Sequence, residues 1–380
     1  MKIPLFKIFW DDEDIRAVNE VIKSGMYWTT GAKSKEFEKM IAEYVGTKYA
    51  AVFNSGTSAL HATILAYNIK KGDEVIVPSF TFIATANAPV FTGAKPVFAD
   101  IETETFGLDP EDVKEKITNK VKAIIPVHYG GSPCLIRELK EIADDYKLVL
   151  IEDAAEALGA RVNNRKVGTF GDSAVLSFCQ NKVITTGDGG AVVTDSQEIY
   201  EKLKLIRSHG RLENLDYFSE WKEPDYVTLG YNYRMSDITA ALGIAQLKKV
   251  GKIIETRRKN AEQMNEKLSE IKKIALPKPP TDYYHIYQMY TVRVKDGKRT
   301  RDDLAEYLAQ RKISTKVYFY PVHLTHFYQN ELKYRCKLPV TEEIAEQVLT
   351  LPMYPSLTMK EIDYIVDKTK TFFSKGRLYK

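Results

Sequence analysis

Near-continuous apolar runs alternate with amphipathic stretches along the first 200 residues. AAVFN (50–54), EVIVP (74–78), KPVFADI (95–101), VKAIIPV (121–127) and LVLIED (148–153) lack a polar face. Strands of that kind are covered on both faces of a parallel sheet. Between them lie helical patterns. DDEDIRAVNEVIKSG opens on acids and sets Ile15, Val18, Val21 and Ile22 at helical spacing before Gly25 stops it. Ser34 reads as the cap of a second helix through Tyr44, with Glu38 and Glu43 outward and Phe37, Met40 and Ile41 inward. Asp109 with Pro110 opens another. Strands alternating with helices predict an α/β fold around a mostly parallel sheet.

After residue 237 the pattern changes. ITAALGIAQLKKVGKIIETRRKNAEQMNEKLSEI reads as one long helix leading away from the first unit, and LPKPP breaks the chain. HIYQMYTVRV alternates as a strand, 300–311 as a helix, ISTKVYFYPVHL as an aromatic-rich strand, and KEIDYIVDKTKTFF as a final amphipathic helix. The expected division is a large α/β domain over 1–250 and a smaller α/β domain over 251–380. A chain of 380 residues exceeds the usual span of one core, which agrees with two. The long aromatic and acidic loop over 212–229 suggests a binding or subunit role.

Composition narrows the class. With 44% hydrophobic and 28% charged residues the chain reads as an ordinary globular protein. A net charge of +4, with Lys and Arg scattered, gives no stripe for nucleic acid and tolerates an anionic small substrate. Cys134, Cys179 and Cys336 lie far apart, without CxxC or zinc-like histidine spacing, so they read as reduced thiols and no metal is expected. No apolar run approaches a membrane span, and MKIPLFKIFW has no signal-peptide cleavage pattern. A cytoplasmic location without membrane partners follows as the expectation.

Candidate chemistry concentrates in VLSFCQNKVITTGDGGAVVT (175–194). Lys182 sits between two strand patterns, beside two threonines and the Gly187–Gly190 cluster. A lysine at a strand end can reach a carbonyl and form a Schiff base, although a surface lysine in a polar loop would look the same. Asp153 ends the apolar run 29 residues earlier. A carboxylate there suits a protonated pyridine nitrogen, or caps the next helix. Ser55, Gly56, Thr57 and Ser58 join a strand to a helix, which offers free backbone N–H groups to an anion or a simple hydroxyl cap. His128, Tyr129 and Gly130 end another strand, and His128 is expected to line the base of a pocket.

In order, NSGTSAL, GDEVIVPSFTFIATAN, GAKPVFADI, IIPVHYGG, IEDAAEALGA, VGTFGD, LSFCQNKVITTGDGG, IRSHG and GYNYRM resemble the DegT/DnrJ/EryC1/StrS sugar aminotransferases throughout. That resemblance implies the aspartate-aminotransferase fold (type I) and pyridoxal 5'-phosphate as cofactor. It implies Lys182 as the cofactor-holding lysine and proton carrier, and Asp153 at the ring nitrogen. Gly56, Thr57 and Ser177 would hold the phosphate, with Asn232 reaching it from the other subunit of a homodimer. Phe82 would stack on the ring, and Tyr318, Tyr320 and His323 would meet the sugar nucleotide. Arg234 would buttress its loop or touch substrate. Glu156 departs from the glutamine or histidine common in the family, and either would reach the ring hydroxyl region. The implied reaction moves an amino group from L-glutamate to a keto-sugar nucleotide. EDAAEA and FYPVHLTHFY look closest to members acting on 4-keto-6-deoxy hexoses, such as perosamine synthases. A 3-keto acceptor or a non-catalytic regulator that binds the cofactor remain as alternatives. Dehydration at the sugar C3 needs histidine where this chain has Lys182.

Overall fold

Seven of the apolar runs pair edge to edge in the computed structural model, which describes residues 1–29, 31–212, 221 and 225–374. They are β1 (Tyr49–Phe53), β2 (Glu74–Pro78), β3 (Lys95–Ala99), β4 (Val121–Ile124), β5 (Val149–Asp153), β6 (Ser173–Ser177) and β7 (Gly190–Thr194), in the order β1-β7-β6-β5-β4-β2-β3. Only β7 runs against its neighbours, pairing antiparallel with β1 and β6. The loop over 178–189 returns the chain directly beside β6, so this connection needs no crossover helix. That loop carries Lys182.

Helices cover both faces, which is why the strands lack a polar side. Within β1, Ala50 and Val52 join one core with Phe37, Ile41 and Ile244, while Ala51 and Phe53 join the other with Leu60, Ile64 and Leu203. The layers are built from α1 (Asp12–Ser24), α2 (Ala32–Val45), α3 (Gly56–Ala66), α4 (Ile83–Phe91), α5 (Pro110–Lys116), α6 (Ile136–Tyr146) and α7 (Gln197–Arg207). Two further helices follow, α8 (Asp237–Leu247) and α9 (Val250–Leu268), where the pattern read as one. Both bury an apolar stripe, so the periodicity runs through the break at Lys248 and Lys249. Lys249 Nζ is held there by Asp11 and Asp14 at the start of α1, at 2.7 and 2.6 Å.

A second core gathers around a small antiparallel sheet, ordered β8 (Ile274–Ala275), β9 (Tyr290–Val294), β10 (Val348–Leu351). Met264, Leu304, Ile362 and Ile365 fill it, from α9, α10 (Lys298–Gln310) and α12 (Met359–Ser374), with α11 (Pro339–Gln347) leading into β10. Ile3 belongs to this core too. Its N–H donates to Lys312 O, and its carbonyl accepts from Ser314. Residues 3–5 therefore pack with the second core, not with the unit that follows them in sequence.

Several expectations change. Glu38 is buried, not outward, because its carboxylate accepts the Val52 N–H (3.0 Å) and pairs with Arg207. Ile15 and Ile22 of the α1 stripe are exposed on this single chain, and only Val21 of the four is buried. The strand expected over 285–294 shortens to β9, since Ile286 and Met289 N–H groups bond the carbonyls of Gly131 and Gly130. ISTKVYFYPVHL forms no ladder. Ile313 and Lys316 make isolated bridges, and the Tyr129 hydroxyl takes the Tyr318 carbonyl at 2.6 Å. Within the loop expected over 212–229, residues 213–220 and 222–224 lie outside the described residues. Among the described residues no helix is long and apolar enough to cross a membrane.

Candidate active site

Parallel strands collect functional groups at their carboxyl ends, and here β5 and β6 supply the centre. Asp153 closes β5 and is buried. Its Oδ2 accepts the Thr85 hydroxyl at 2.7 Å, and its Oδ1 accepts the Ala155 N–H at 3.1 Å. Thr85 in turn meets Thr81 at 2.9 Å. None of these partners is charged. Burial therefore raises the Asp153 carboxyl above its ordinary value, against the lowering pull of Thr85, Ala155 and the more distant Lys182.

Lys182 stands on the loop after β6, and its Nζ lies 3.1 Å from Glu156 Oε1. Both side chains are nearly covered. The other Glu156 oxygen accepts the Gly130 N–H at 3.0 Å, so the carboxylate is fixed from behind. Asp153 and Glu156, at and just after the end of β5, thus come together with Lys182 from the loop after β6.

A second cluster forms where β1 enters α3. Ser55 caps the helix, accepting from Ser58 N–H through its side chain, and its carbonyl accepts from Ala59. Among the described residues the N–H groups of Gly56 and Thr57 have no such partner. A Cβ on Gly56 would sit 3.1 Å from Ser177 Cβ and 3.3 Å from its Oγ, so the end of β6 abuts the helix start. Two free N–H groups, a positive helix end and the Ser177 hydroxyl make a cradle for a phosphate. Beside the buried acid and the reachable amine, the donor set fits the pyridoxal phosphate that the resemblance implies.

Other expected residues fall into two groups. Phe82, the N-cap residue of α4, is 60% exposed, and Thr57 and Asn232 are exposed as well. The Asn232 backbone carbonyl accepts the Asn54 side-chain amide at 3.3 Å. Arg234 donates to the Ser208 hydroxyl at 3.5 Å. Tyr318 is half-buried beside Glu156 and Cys179, and burial, then those two groups, raises its phenol. Tyr320 is exposed.

Two histidines do not stand where the pattern put them. His323 is buried, with Nδ1 2.7 Å from the Ser79 hydroxyl and Nε2 3.3 Å from Glu342. Both ring nitrogens are occupied inside the chain, so this ring ties the 321–324 turn to the end of β2 and is not free for a substrate. His128 is fully buried. Its Nδ1 accepts the Cys134 N–H (3.1 Å), so the proton sits on Nε2 and is donated to Glu152 Oε2 at 2.9 Å. Glu152 also accepts the N–H groups of Gly168, Phe170 and Gly171, each at 2.7 Å. The roles of Thr81 and Thr85 behind Asp153, and of the Gly130 N–H behind Glu156, escaped the sequence reading. The small polar run TFIATAN after β2 was the available signal for the threonines.

The DegT/DnrJ/EryC1/StrS aminotransferase family model matches residues 10–370. An uncharacterized protein of Methanocaldococcus jannaschii, MJ1066, is 39% identical over 99% of this chain and 98% of its own. The GDP-perosamine synthase of Escherichia coli O157:H7 is 36% identical over 98% of this chain and 99% of its own. The pyridoxal phosphate form of the putative sugar aminotransferase Spr1654 from Streptococcus pneumoniae superposes with a TM-score of 0.93. It shares 27% identity and covers 99% of each chain.

Proposed function

The chain belongs to the DegT/DnrJ/EryC1/StrS aminotransferase family, and from that premise we propose that it carries the amino group of L-glutamate to a keto-sugar nucleotide whose sugar is a 4-keto-6-deoxy hexose. The observation that carries the reading is the grouping of the nearly covered Lys182 and Glu156 with the buried Asp153, Lys182 Nζ lying 3.1 Å from Glu156. Similarity to a GDP-perosamine synthase over nearly the whole chain supports the choice of acceptor.

Bound pyridoxal phosphate supplies an electron sink that acidifies the donor's Cα–H and a carrier for the amino group. Gly56, Thr57 and Ser177 hold the phosphate in one protomer, and Asn232 comes from its partner in a homodimer. Phe82 covers a ring face, where an electron-poor plane favours aromatic contact. Asp153 keeps a proton on the ring nitrogen. A cation facing that acid also offsets the cost of burying its charge. Lys182 holds the cofactor aldehyde through its amine. Once displaced by the donor, Lys182 Nζ takes the proton from the donor's Cα as general base. Glu156, fixed by Gly130, keeps that nitrogen aimed. Tyr318 forms the wall on the substrate side, and the exposed ring of Tyr320 offers a surface for sugar or base.

The test uses the purified enzyme loaded with cofactor, L-glutamate and a panel of keto-sugar nucleotides. Glutamate should bleach the cofactor's visible absorption, and a 4-keto-6-deoxy hexose nucleotide should restore it with release of an aminated sugar. Restoration only by a 3-keto sugar would remove the proposed acceptor. A band indifferent to glutamate and other amino donors would remove turnover altogether.

A further inference from the structure

The backbone hydrogen bonds of the loop carrying Lys182 are made mostly with its own residues. Lys182 N–H donates to Cys179 O at 3.0 Å, and Thr186 N–H to Phe178 O at 2.9 Å. The Cys179 N–H reaches the Ser177 hydroxyl at 3.4 Å. Among the described residues, one side chain from elsewhere bonds the backbone beside the lysine. Gln288 Nε2 donates to the Asn181 carbonyl at 2.6 Å, across 107 residues of sequence.

Gln288 is itself firmly placed. The N–H groups of Ile286 and Met289 donate to Gly131 O and Gly130 O, both at 3.0 Å. The buried Arg257 guanidinium donates to the carbonyls of Tyr287 (3.1 Å), Gln288 (3.4 Å) and Met353 (3.2 Å). A Cβ at Gly131 would lie 2.7 Å from Ile286 Cγ1 and 2.9 Å from Gln288 N, so the φ of +96° there and the close approach both require glycine. This glycine turn is also the one whose Gly130 N–H fixes Glu156 against Lys182 Nζ. The 286–289 segment therefore governs both ends of Lys182, its preceding carbonyl and its amine.

The other amide atom shows what the glutamine is for. Gln288 Oε1 is buried without a hydrogen-bond partner. An unpaired buried acceptor opposes folding, so a methionine of similar length would serve packing as well or better. The donor aimed at Asn181 is what only the amide provides.

We propose that Gln288 is a positioning residue for Lys182, holding the lysine loop in register with the second core so that the amine meets the cofactor aldehyde. The inference rests on the assignment of Lys182 as the cofactor-holding lysine, and the experiment separates the two. Cofactor-free wild type, Gln288→Met and Gln288→Glu are mixed with pyridoxal phosphate. Covalent capture, in which the lysine nitrogen bonds the aldehyde carbon and water leaves, is followed by absorbance, and the adduct is trapped with borohydride and mapped. Gln288→Met should melt within a few degrees of wild type yet capture about tenfold more slowly, and kcat should fall with little change in KM. In Gln288→Glu the defect should ease as pH falls, since a protonated carboxyl can donate where the amide did. Capture by Gln288→Met within twofold of wild type would overturn the proposal, as would a Gln288→Glu defect indifferent to pH. Mapping of the wild-type adduct to a lysine other than Lys182 would instead overturn the parent assignment.

Discussion

Asp153 is a poor residue for stability and a good one for the chemistry. Among the described residues its buried carboxylate has a hydroxyl and one amide as hydrogen-bond partners, and burial pushes its pKa up. Burial therefore makes the acid harder to ionise in the folded, cofactor-free chain than in the unfolded one. The stability it contributes is fully present below the ordinary carboxylate pKa and is lost as pH rises through the higher folded value. Asp153→Asn removes that dependence while keeping the shape. The melting temperature of the cofactor-free variant should exceed that of wild type by a margin that grows from pH 4 to pH 8, reaching at least about 2 °C. Turnover should fall by roughly 10²-fold or more, because a neutral amide does not hold a proton on the ring nitrogen. Melting curves of the two proteins that stay parallel across this range would contradict the account. The sequence pointed to this acid because an apolar run ending in a carboxylate is visible locally. It did not point to Thr85, whose part depends on where α4 begins relative to β5.

Element by element, legibility follows the reach of each interaction. An apolar run reports burial on both faces by itself, so the seven central strands and most helices could be read. Caps and pins made by distant residues could not. Ser34 read as the cap of α2, yet Gly31 holds that position and Asp237 does the capping. The Asp237 carboxylate accepts the N–H groups of Lys33 (3.0 Å) and Ser34 (2.9 Å) and the Ser34 hydroxyl (2.8 Å) from the start of α8. A Cβ at Gly31 would lie 2.4 Å from Asp237 Oδ2, so only glycine admits the carboxylate. Glu38, His128 and His323 were misplaced for the same reason, since each answers a partner that no local window contains. The cap matters to the site because α2 presents Phe37 to Phe178, with ring centroids 5.3 Å apart, at the root of the Lys182 loop. Asp237→Ala should therefore cost about 1–2 kcal/mol. Urea unfolding of the cofactor-free chain should show a lower midpoint at unchanged slope, and Asp237→Asn should keep part of the difference. An unaltered midpoint would mean that α2 does not need the carboxylate.

On the scale of the whole molecule, one chain leaves the phosphate cradle half open. Thr57, Phe82 and Asn232 are exposed, and Trp10, Ile15, Ile22, Met26 and Trp28 also show apolar surface. Asn232 poses the sharpest question. Its backbone carbonyl is tied to Asn54, next to the cradle of its own chain, yet the residue is exposed. That amide serves either its own site or the site of a second copy, and isologous pairing makes the two cases separable. Lys182→Ala and Asn232→Ala chains, carrying different tags, are coexpressed and assayed at a cofactor concentration too low to load Asn232→Ala alone. If the amide crosses between protomers, each mixed dimer contains one site with both native residues. Random pairing then restores about a quarter of wild-type activity, half the dimers being mixed and half their sites intact. If the amide serves its own chain, no site in any dimer has both groups, and the mixture does no better than its parents. Recovery in the isolated mixed dimer is the expected result, because Asn232 is exposed on the single chain.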